Sequence, residues 1–232
     1  MPLDRSLVSG LPAFAGLTGE DVDAVLAPAT SSRFAKDSEV FSQDEEARQF
    51  FLLLSGHIRV VRTTPEGEQV IARYINEGEL FGIAVAMGRK TYPASAVAAV
   101  DCVVLSWPNG VWHELQSRFP GFGANAFQTI GARLQDTQSR VVEMSTRQVE
   151  QRIAGAVMRL VQQSGRKTEE GVEIDFPITR QDIAEMTGST LHTVSRLMSA
   201  WEAEGIVRSG RQKVTVVDPH ALMLVAENRR TK

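Results

Sequence analysis

The spacing of apolar residues along the 232-residue chain changes twice. Over Phe14–Leu26 the apolar positions fit a short helix, and Thr18 is placed to cap it. Over Val40–Trp107 they form short or alternating runs separated by turn residues, a pattern that predicts consecutive strands. After Pro120 they recur at helical spacings of three and four residues. The sequence therefore predicts a β-rich region followed by a helical one.

Four strands are clearest in the β-rich region. They are Phe50–Leu54, His57–Arg62, Gln69–Ile75 and Ala96–Trp107. Because no helical stretch separates them, we expect neighbouring strands to pair antiparallel in a sandwich or barrel. We assign residues 1–118 to an N-terminal, effector-sensing β-barrel domain.

One narrow apolar stripe marks the helix that follows. It consists of Phe127, Ile130, Leu134, Thr137, Val141 and Met144. This spacing over about 18 residues matches the a and d positions of a coiled coil. The stripe either packs against the chain's own barrel or forms the seam of a homodimer, and its narrowness favours the dimer. We predict a dimerisation helix over residues 119–146 and a third domain over residues 147–232.

The third domain begins with a helix over Val149–Val161, and we expect the polar stretch Gly165–Gly171 to be a loop. From Pro177 onward the sequence predicts helix, tight turn, helix and hairpin, the order of a winged helix-turn-helix. Thr179 can cap the first of these helices, and Gly188 supplies a left-handed turn residue. The residues expected to be buried are Ile183, Ala184, Met186, Leu191, Val194, Leu197, Met198 and Trp201.

Three residues on the outer face of the second helix are candidates for reading DNA bases: His192, Ser195 and Arg196. They lie near the helix N-terminus, the part of a recognition helix that meets base edges. An arginine there can donate two hydrogen bonds to guanine O6 and N7, worth about 1–3 kcal/mol of discrimination. Arg196 is therefore the principal candidate.

Six further residues suit DNA phosphates, whose contacts hold register without reading sequence. They are Thr179, Arg180, Thr190, Arg208, Arg211 and Lys213. The last three belong to a hairpin in which Ile206–Arg208 and Lys213–Val217 pair as a wing. Within this hairpin the sequence gives these cations no acidic neighbour.

The charge and composition of the chain are compatible with an N-terminal barrel and a C-terminal DNA-binding domain, but they would not identify these domains by themselves. The net charge is -3, yet residues 1–146 carry 12 Lys and Arg against 17 Asp and Glu, whereas residues 147–232 carry 13 against 11. The apolar fraction of 43% is typical of globular domains. No apolar run approaches the roughly 18 residues of a membrane span, and the N-terminus does not resemble a signal peptide. We therefore expect a cytoplasmic protein with no membrane partner.

The C-terminal residues resemble those of one known family. The motif T-R-x-D-I-A-x-x-x-G from Thr179, followed by T-V-S-R and W-E-x-x-G-I-V, is similar to the Crp/Fnr superfamily of cyclic-AMP receptor and fumarate–nitrate regulators, over essentially the whole chain. The resemblance implies an α+β fold: a cupin-like, cyclic-nucleotide-binding-like antiparallel β-barrel, a long dimerisation helix and a winged helix-turn-helix. It also implies a homodimer that binds palindromic double-stranded DNA and recruits or blocks RNA polymerase.

The same resemblance places an effector pocket in the barrel. Its candidate residues are Gly78, Glu79, Phe81, Tyr92, Ser95 and Thr137. In the cyclic-AMP binders an Arg-Ser pair holds the cyclic phosphate, but here the segment Tyr92–Ser95 contains no arginine. We therefore expect a phosphate to lack its cationic partner and cyclic AMP not to bind in the usual mode. Gln138 replaces a serine that contacts the nucleotide, and His192 replaces a glutamate, so the base read there is expected to differ.

The effector itself, a small molecule or a gas, is not identified by the sequence. Cys102 is the only cysteine, which excludes the four-cysteine cluster of the oxygen-sensing branch and is more typical of a core residue than of a redox switch. The segments T-Y-P-A-S-A and T-L-H-T-V-S-R-L look most similar to the nitric-oxide and denitrification branch, some of whose members are thought to use haem. His57, His113, Met87 and Tyr92 are then the candidate ligands.

Two other functional classes fit the sequence less well. An enzyme would be expected to carry a glycine-rich phosphate loop, a nucleophile elbow or a cluster of metal ligands, and the chain has none of these motifs. A small-molecule-binding barrel whose C-terminal domain mediates protein contacts is the second alternative. Salt-dependent binding to DNA would distinguish it from a regulator, because phosphate contacts release counterions.

Overall fold

The computed structural model describes residues 4–229 and has the α+β architecture that the sequence predicts. The chain forms two compact units, and the break between them falls after Asp136, inside a long helix, with Gln69–Ile71 grouped with the second unit. The three-domain division at residues 118 and 146 stays a prediction. No helix among the described residues is long and apolar enough to cross a membrane.

The first α-helix of the first unit is α1, Gly19–Leu26, which Thr18 caps as predicted. Strands of two antiparallel, four-stranded sheets follow. They are β1 Thr30–Phe34, β2 Glu39–Phe41, β3 Gln49–Ser55, β4 Ile58–Thr63, β5 Gln69–Ile75, β6 Leu80–Phe81, β7 Ser95–Ala98 and β8 Cys102–Pro108. The sheet orders, β1-β8-β3-β6 and β2-β7-β4-β5, are those of a jelly-roll barrel.

Strand β3 separates two aromatic cores. Because side chains alternate along a strand, Phe50 and Phe51 point to opposite faces. Phe50 stacks on Trp107 with ring centroids 5.3 Å apart, and Phe51 stacks on Phe81 at 5.2 Å. Burial of each of these side chains contributes about 1.5–3 kcal/mol. Both faces of β3 are therefore buried, which explains its unbroken apolar sequence.

One strand prediction is wrong: Ala96–Trp107 comprises parts of two strands, β7 and β8, which belong to different sheets. The chain bends at residues 99–101, where the Asp101 carboxylate accepts a hydrogen bond from the Lys36 N–H at 2.9 Å. Strands β1, β2 and β6 were not predicted, because each is short or exposed and shows no apolar alternation.

Helices dominate the rest of the chain. They are α2 Trp112–Arg118, α3 Pro120–Thr146, α4 Val149–Ser164, α5 Arg180–Thr187, α6 Leu191–Ala203 and α7 Pro219–Ala226. Proline opens α3 at a position where its missing N–H costs nothing. The long helix, the helix from Val149 and the helix-turn-helix pair all lie where the sequence predicts them.

The second unit also contains a four-stranded sheet of order β11-β12-β10-β9. Its strands are β9 Gly165–Thr168, β10 Gly171–Ile174, β11 Val207–Gly210 and β12 Lys213–Val216. The predicted loop over Gly165–Gly171 is therefore wrong: Gly165 pairs with Ile174, and Thr168 with Gly171. Every residue of β9 is exposed, so no apolar alternation could reveal the strand.

Candidate functional site

A helix, a tight turn and a second helix lie at the centre of the second unit. Thr179 caps α5: its hydroxyl accepts a hydrogen bond from the Asp182 N–H at 3.0 Å, and the Asp182 carboxylate accepts one from the Thr179 N–H at 2.7 Å. Gly188 ends α5 in the left-handed conformation, with φ +58°. That conformation costs other residues roughly 1–2 kcal/mol but costs glycine little. Local interactions therefore fix both ends of α5, as predicted.

Helix α6 begins after its cap Thr190, whose hydroxyl accepts a hydrogen bond from the Thr193 N–H at 3.2 Å. Its buried face consists of Val194, Leu197, Met198 and Trp201, all predicted. Leu191 was also expected to be buried but is 49% exposed, because it is the first residue of the helix and lies beyond the packed face. Met186 of α5 is only half-buried. The packed face of α6 therefore starts one turn later than predicted.

The outer face of α6 presents hydrogen-bonding groups to solvent. His192 and Arg196 are exposed, and Ser195 is half-buried. Within residues 4–229, no hydrogen bond or ion pair engages the side chain of His192 or Arg196. Their donors are therefore available to an external partner.

Polar contacts hold α6 in place. The Glu202 carboxylate accepts a hydrogen bond from the Ser209 N–H at 3.0 Å and lies 3.4 Å from the Arg180 guanidinium. At the other side of the helix, Trp201 Nε1 donates to Glu150 Oε1 at 3.2 Å. These contacts tie α6 to α4, α5 and β11. The outer face is therefore presented by a helix that its own unit fixes.

The predicted wing is confirmed, with a tighter turn. Gly210 pairs with Lys213 across a turn of Arg211 and Gln212, and Gln212 takes the left-handed conformation with φ +59°. Arg211 is exposed at this turn and forms no ion pair with the residues that the structure describes. It is therefore a wing cation that a phosphate can reach directly.

The other wing cations have carboxylate partners. Arg208 forms an ion pair with Glu170, and Lys213 Nζ lies 3.4 Å from Glu173. The absence of acidic neighbours in the sequence is therefore misleading, because the β9–β10 hairpin brings two carboxylates to the wing. Burial opposes ionisation of Glu173, but hydrogen bonds from Arg166 and Lys213 outweigh it and hold the pKa of Glu173 below its usual value.

The predicted stripe on α3 is largely exposed in the single chain. Exposed fractions are 45% for Phe127, 58% for Leu134, 62% for Val141 and 51% for Met144. Thr137 is exposed as well, whereas Ile130 is half-buried against the core of the first unit. Of the residues in this stripe, mainly Ile130 packs against the chain's own barrel.

A cavity of about 190 Å³ lies in the first unit. Its lining is Phe41, Val60, Arg73, Ile75, Phe81, Gly82, Ile83, Ala84, Met87, Tyr92, Pro93, Ala94 and Arg133. The lining is apolar apart from one end, where the two arginines meet. Arg73 forms an ion pair with Glu79, and the Arg133 guanidinium lies 3.8 Å from the same carboxylate.

Two comparisons with known proteins identify these parts. Residues 31–119 match the family Cyclic nucleotide-binding domain, and residues 151–225 match the family Crp-like helix-turn-helix domain. The chain is 28% identical to the Cyclic AMP receptor protein of Thermus thermophilus over 94% of this chain and 98% of that protein. It is 25% identical to the nitrogen fixation regulation protein FixK of Azorhizobium caulinodans, over 89% and 83% respectively. The chain belongs to the Crp/Fnr family of transcriptional regulators.

The fold agrees with this family. FixK2 from Bradyrhizobium japonicum superposes with a TM-score of 0.75 at 20% identity, over 85% of this chain and 96% of that chain. As a Crp/Fnr protein, the chain is a DNA-binding transcriptional regulator with an effector-binding domain of the cyclic-nucleotide type, and its relatives are regulators, not enzymes. The nitric-oxide branch is not supported by these relatives and stays a prediction.

The cavity contains only some of the residues predicted for the effector pocket. Phe81 and Tyr92 line it, and Glu79 borders it through Arg73. Ser95, Gly78 and Thr137 are not part of its lining. The Ser95 hydroxyl instead accepts a hydrogen bond from the Gln43 N–H at 2.9 Å, and Gly78 makes a turn with φ +81°.

The structure brings two arginines to this pocket, although the segment Tyr92–Ser95 supplies none; that cyclic AMP does not bind in the usual mode stays a prediction. Arg73 comes from β5 and Arg133 from α3, neither of which is near Tyr92–Ser95 in the sequence. Burial, together with the charge of Arg73, lowers the pKa of the Arg133 guanidinium to about 9, while Glu79 opposes this shift. Arg133 therefore stays protonated at neutral pH. No sequence signal separates these arginines from surface ones.

A haem, which the resemblance offers as a possible cofactor, does not fit the residues present. The cavity of about 190 Å³ is smaller than the ~300–1,000 Å³ of most ligand sites. His57 and His113 do not line it. The Tyr92 hydroxyl donates to the Gln49 carbonyl at 2.7 Å, which leaves Met87 as the one candidate ligand that faces the cavity.

Cys102 is a core residue, as predicted. It is buried, and its one S–H can donate to either of two carbonyls, that of Val100 at 3.1 Å or that of His57 at 3.3 Å. Burial raises the pKa of the Cys102 thiol, so the reactive thiolate is disfavoured.

Proposed function

We propose that this Crp/Fnr regulator acts as a homodimer that binds a palindromic promoter site through α6, under the control of an effector bound in the barrel. The observation that carries the proposal is the pair of unengaged side chains, His192 and Arg196, on the exposed face of a helix that Glu202 and Trp201 hold in place. Such a face is the part of a helix-turn-helix that enters the major groove.

Base reading falls to His192, Ser195 and Arg196. The Arg196 guanidinium can donate two hydrogen bonds to one guanine. Ser195 can donate or accept, and the role of His192 depends on its tautomer. Thr190, at the N-terminus of the same helix, is placed for a phosphate, because the helix dipole and free N–H groups favour anions there.

Phosphate contacts around this helix come from α5 and the wing. Arg211 is exposed and has no carboxylate partner among residues 4–229, whereas Arg208 and Lys213 must exchange theirs for DNA. Arg180 and Thr179 lie at the N-terminus of α5, where Arg180 already contacts Glu202. These residues hold register and contribute the salt-dependent part of binding.

The exposed stripe on α3 supports the dimer. Phe127, Leu134, Val141 and Met144 leave more apolar surface on one helix face than a solvent-facing helix normally carries. A second copy of α3 would bury this face in a parallel coiled coil. Two copies of α6 would then read two half-sites one helical turn apart.

Helix α3 also links the effector to DNA. It contributes Arg133 to the cavity and, further along, Val141 and Met144 to the stripe. A ligand that binds Arg133 in one arrangement of the dimer more tightly than in another would shift the population between them. DNA bound by the favoured arrangement would then recruit or block RNA polymerase in the cytoplasm.

Selection of DNA from a random library by the purified protein tests the proposal. We expect a palindromic consensus, with binding that weakens steeply as salt rises. Arg196→Ala should lose sequence preference and keep weak, salt-sensitive binding. Arg48→Ala is the matched control, because Arg48 is an exposed arginine whose ion-pair partner among the described residues is the nearby Glu46. Failure to select any sequence would favour a C-terminal domain for protein contacts instead.

A further inference from the structure

The last turn of α3 is held to α4 by a pair of opposite charges. Arg159 Nη1 lies 2.9 Å from both carboxylate oxygens of Glu143, and the side chains are 24% exposed for Arg159 and 17% for Glu143. The Arg147 guanidinium lies 3.8 Å from the same carboxylate. Because solvent screens a partly buried pair less than an exposed one, this attraction is stronger than that of most surface pairs. Glu143 is therefore fixed to α4.

Arg152 of α4 joins the end of α3 to the end of α5. Its Nη1 donates to the carbonyl of Arg147, the residue after α3, at 3.1 Å. Its Nε donates to the carbonyl of Thr187, the last residue of α5, at 3.3 Å. Carbonyls at a helix C-terminus lack partners within the helix and carry the negative end of its dipole. One guanidinium therefore satisfies the C-termini of both helices.

A third contact reaches the turn between α5 and α6. A Cβ built at Gly188 would lie 2.8 Å from Met144 Cε and 3.9 Å from the Met144 sulfur. Gly188 is therefore needed for this close approach as well as for its left-handed backbone. The last turn of α3 thus packs directly on the turn of the helix-turn-helix.

The same contacts extend to the recognition helix. Trp201 of α6 donates to Glu150 of α4 at 3.2 Å, and Glu202 of α6 lies 3.4 Å from Arg180 of α5. All of these residues belong to the second unit. An unbroken series of side-chain contacts therefore connects the last turn of α3 to α6.

These contacts restrict rotation as well as translation of the last turn of α3. Glu143 and Met144 are neighbours in the helix and lie about 100° apart around its axis. Glu143 is held to α4, whereas Met144 packs on the turn after α5. The turn is therefore held on two faces and cannot roll against the helix-turn-helix without breaking one of the contacts.

We propose that Glu143, Arg152 and Arg159 are positioning residues that join the last turn of α3 rigidly to α6 and thereby set the spacing between the two half-sites that the protein binds. This role rests on the proposed function, because a spacing exists only for a homodimer on a palindrome. The α3 seam of that dimer holds two copies of this turn together. A rigid link then leaves the two copies of α6 only one separation.

The consequence for DNA is a strict spacer length. One added base pair moves a half-site by about 3.4 Å and rotates it by roughly a tenth of a turn around the duplex. A rigidly linked dimer binds such a site only if the DNA is twisted or bent back into register, and this deformation costs free energy. A flexible link would accommodate the change at little cost.

Titration of the full-length protein with selected palindromic duplexes tests the proposal. The spacer is kept, lengthened or shortened by one base pair, and a duplex with a single half-site is added. We expect a changed spacer to weaken binding at least about tenfold for the wild type, but at most about threefold for Glu143→Gln and Arg152→Met, because only the rigid protein must deform the DNA.

The single half-site separates positioning from folding. Both variants should bind it within about twofold of wild type, because α6 is held by Trp201 and Glu202 independently of α3. Unchanged spacer discrimination in both variants would overturn the proposal. So would a loss of half-site binding as large as the loss on the full site, which is what a merely structural role predicts.

Conservative and distant variants provide the controls. Arg159→Lys keeps the charge next to Glu143 and should retain most of the spacer discrimination, whereas Arg159→Met should lose it. Glu227→Gln removes an exposed ion pair with Arg229 and should behave as wild type. Equal spacer discrimination in Arg159→Lys and Arg159→Met would contradict the role of the ion pair.

Hydrogen exchange of the protein without DNA tests the link itself. The Arg147 N–H donates to the Glu143 carbonyl at 2.9 Å and closes the last turn of α3. We expect exchange of residues 145–147 to accelerate at least about tenfold in Glu143→Gln and Arg152→Met, while exchange in α6 stays unchanged, because opening is local. Unchanged exchange at residues 145–147 in both variants would refute the link whether or not DNA binds.

The two proposals fail separately. A protein that selects a palindrome, and whose variants keep the wild-type spacer discrimination, disproves the role of the link and leaves the proposed function intact. A protein that selects no DNA disproves the proposed function and the role in spacing, while hydrogen exchange still decides whether Glu143 and Arg152 hold α3 to the helix-turn-helix.

Discussion

At Gly82 the backbone takes φ +61° at the rim of the barrel cavity, and a Cβ there would lie 2.7 Å from Phe51 Cδ2 and 3.0 Å from Phe41 Cε1. Gly88 has a similar φ of +66° but nothing within 4 Å of its notional Cβ. The two glycines therefore separate the cost of a left-handed residue from the cost of crowding the core.

We expect Gly88→Ala to lower the free energy of unfolding by about 1–2 kcal/mol, the cost of the left-handed conformation for an L-residue. Gly82→Ala should lower the free energy of unfolding by the same amount and by about 1–3 kcal/mol more, because the aromatic rings must move. Urea unfolding of both variants measures the difference. An equal decrease in the free energy of unfolding for both variants would show that the rings of Phe41 and Phe51 move without an energetic penalty.

Among the elements, helix α3 carries large apolar side chains that the single chain leaves exposed. Leu134 and Val141 are more than half exposed, so a polar substitution there should not unfold the single chain. In a symmetric dimer the same substitution would bring two carboxylates together in an apolar seam.

We therefore expect Leu134→Glu and Val141→Glu to convert a dimer into a folded monomer. Light scattering after size-exclusion chromatography gives the mass, and circular dichroism confirms the fold. Ser139→Glu, an exposed position on the other side of α3, should remain dimeric. Wild-type protein that is monomeric at high concentration would refute the seam.

The β9–β10 hairpin is the second element with a consequence for DNA binding. Glu170 pairs with Arg208 and Glu173 with Lys213, so DNA phosphates must compete with these carboxylates for the two cations. The hairpin thereby reduces the attraction of the wing for any DNA, whatever its sequence.

Glu170→Gln and Glu173→Gln should each raise DNA affinity up to about fivefold, the range expected for one exposed ion pair. The gain should be equal for specific and random duplexes and should shrink as salt rises. Fluorescence anisotropy at several salt concentrations measures it. Glu169→Gln, an exposed neighbour on the same hairpin, should change affinity by less.

At the scale of the whole molecule, the proposed function requires that binding of an effector and binding of DNA are coupled. If the effector raises DNA affinity by some factor, DNA must raise the affinity for the effector by the same factor. Most such factors lie at about 5–150-fold. The net charge of -3 means that this coupling acts on a protein whose attraction to DNA comes from local cations.

We expect DNA affinity, titrated with and without bound effector, to differ by a factor of this size. Arg133→Met should remove the coupling while its DNA affinity without ligand stays within about twofold of wild type. DNA affinity that is the same with and without bound effector would show that the two sites are not coupled.

The DNA-binding unit could be predicted from the sequence because interactions between residues close in the chain form it. Thr179 with Asp182, the left-handed Gly188, and the buried spacing from Val194 to Trp201 all lie within a few residues of their partners. Capping and helical periodicity leave such signals in the chain itself. The unit, its exposed face and its wing were therefore predictable, and Leu191 was misplaced by a single turn.

Tertiary structure alone decided what surrounds that unit and what the barrel can hold. Arg73 and Arg133 meet at one cavity, and Glu170 and Glu173 reach the wing, only because distant strands and helices pack together. The polar β9 strand is likewise defined by its partner β10. Contacts between distant segments carry no local periodicity, so charge partners and pocket chemistry emerge only from the folded chain.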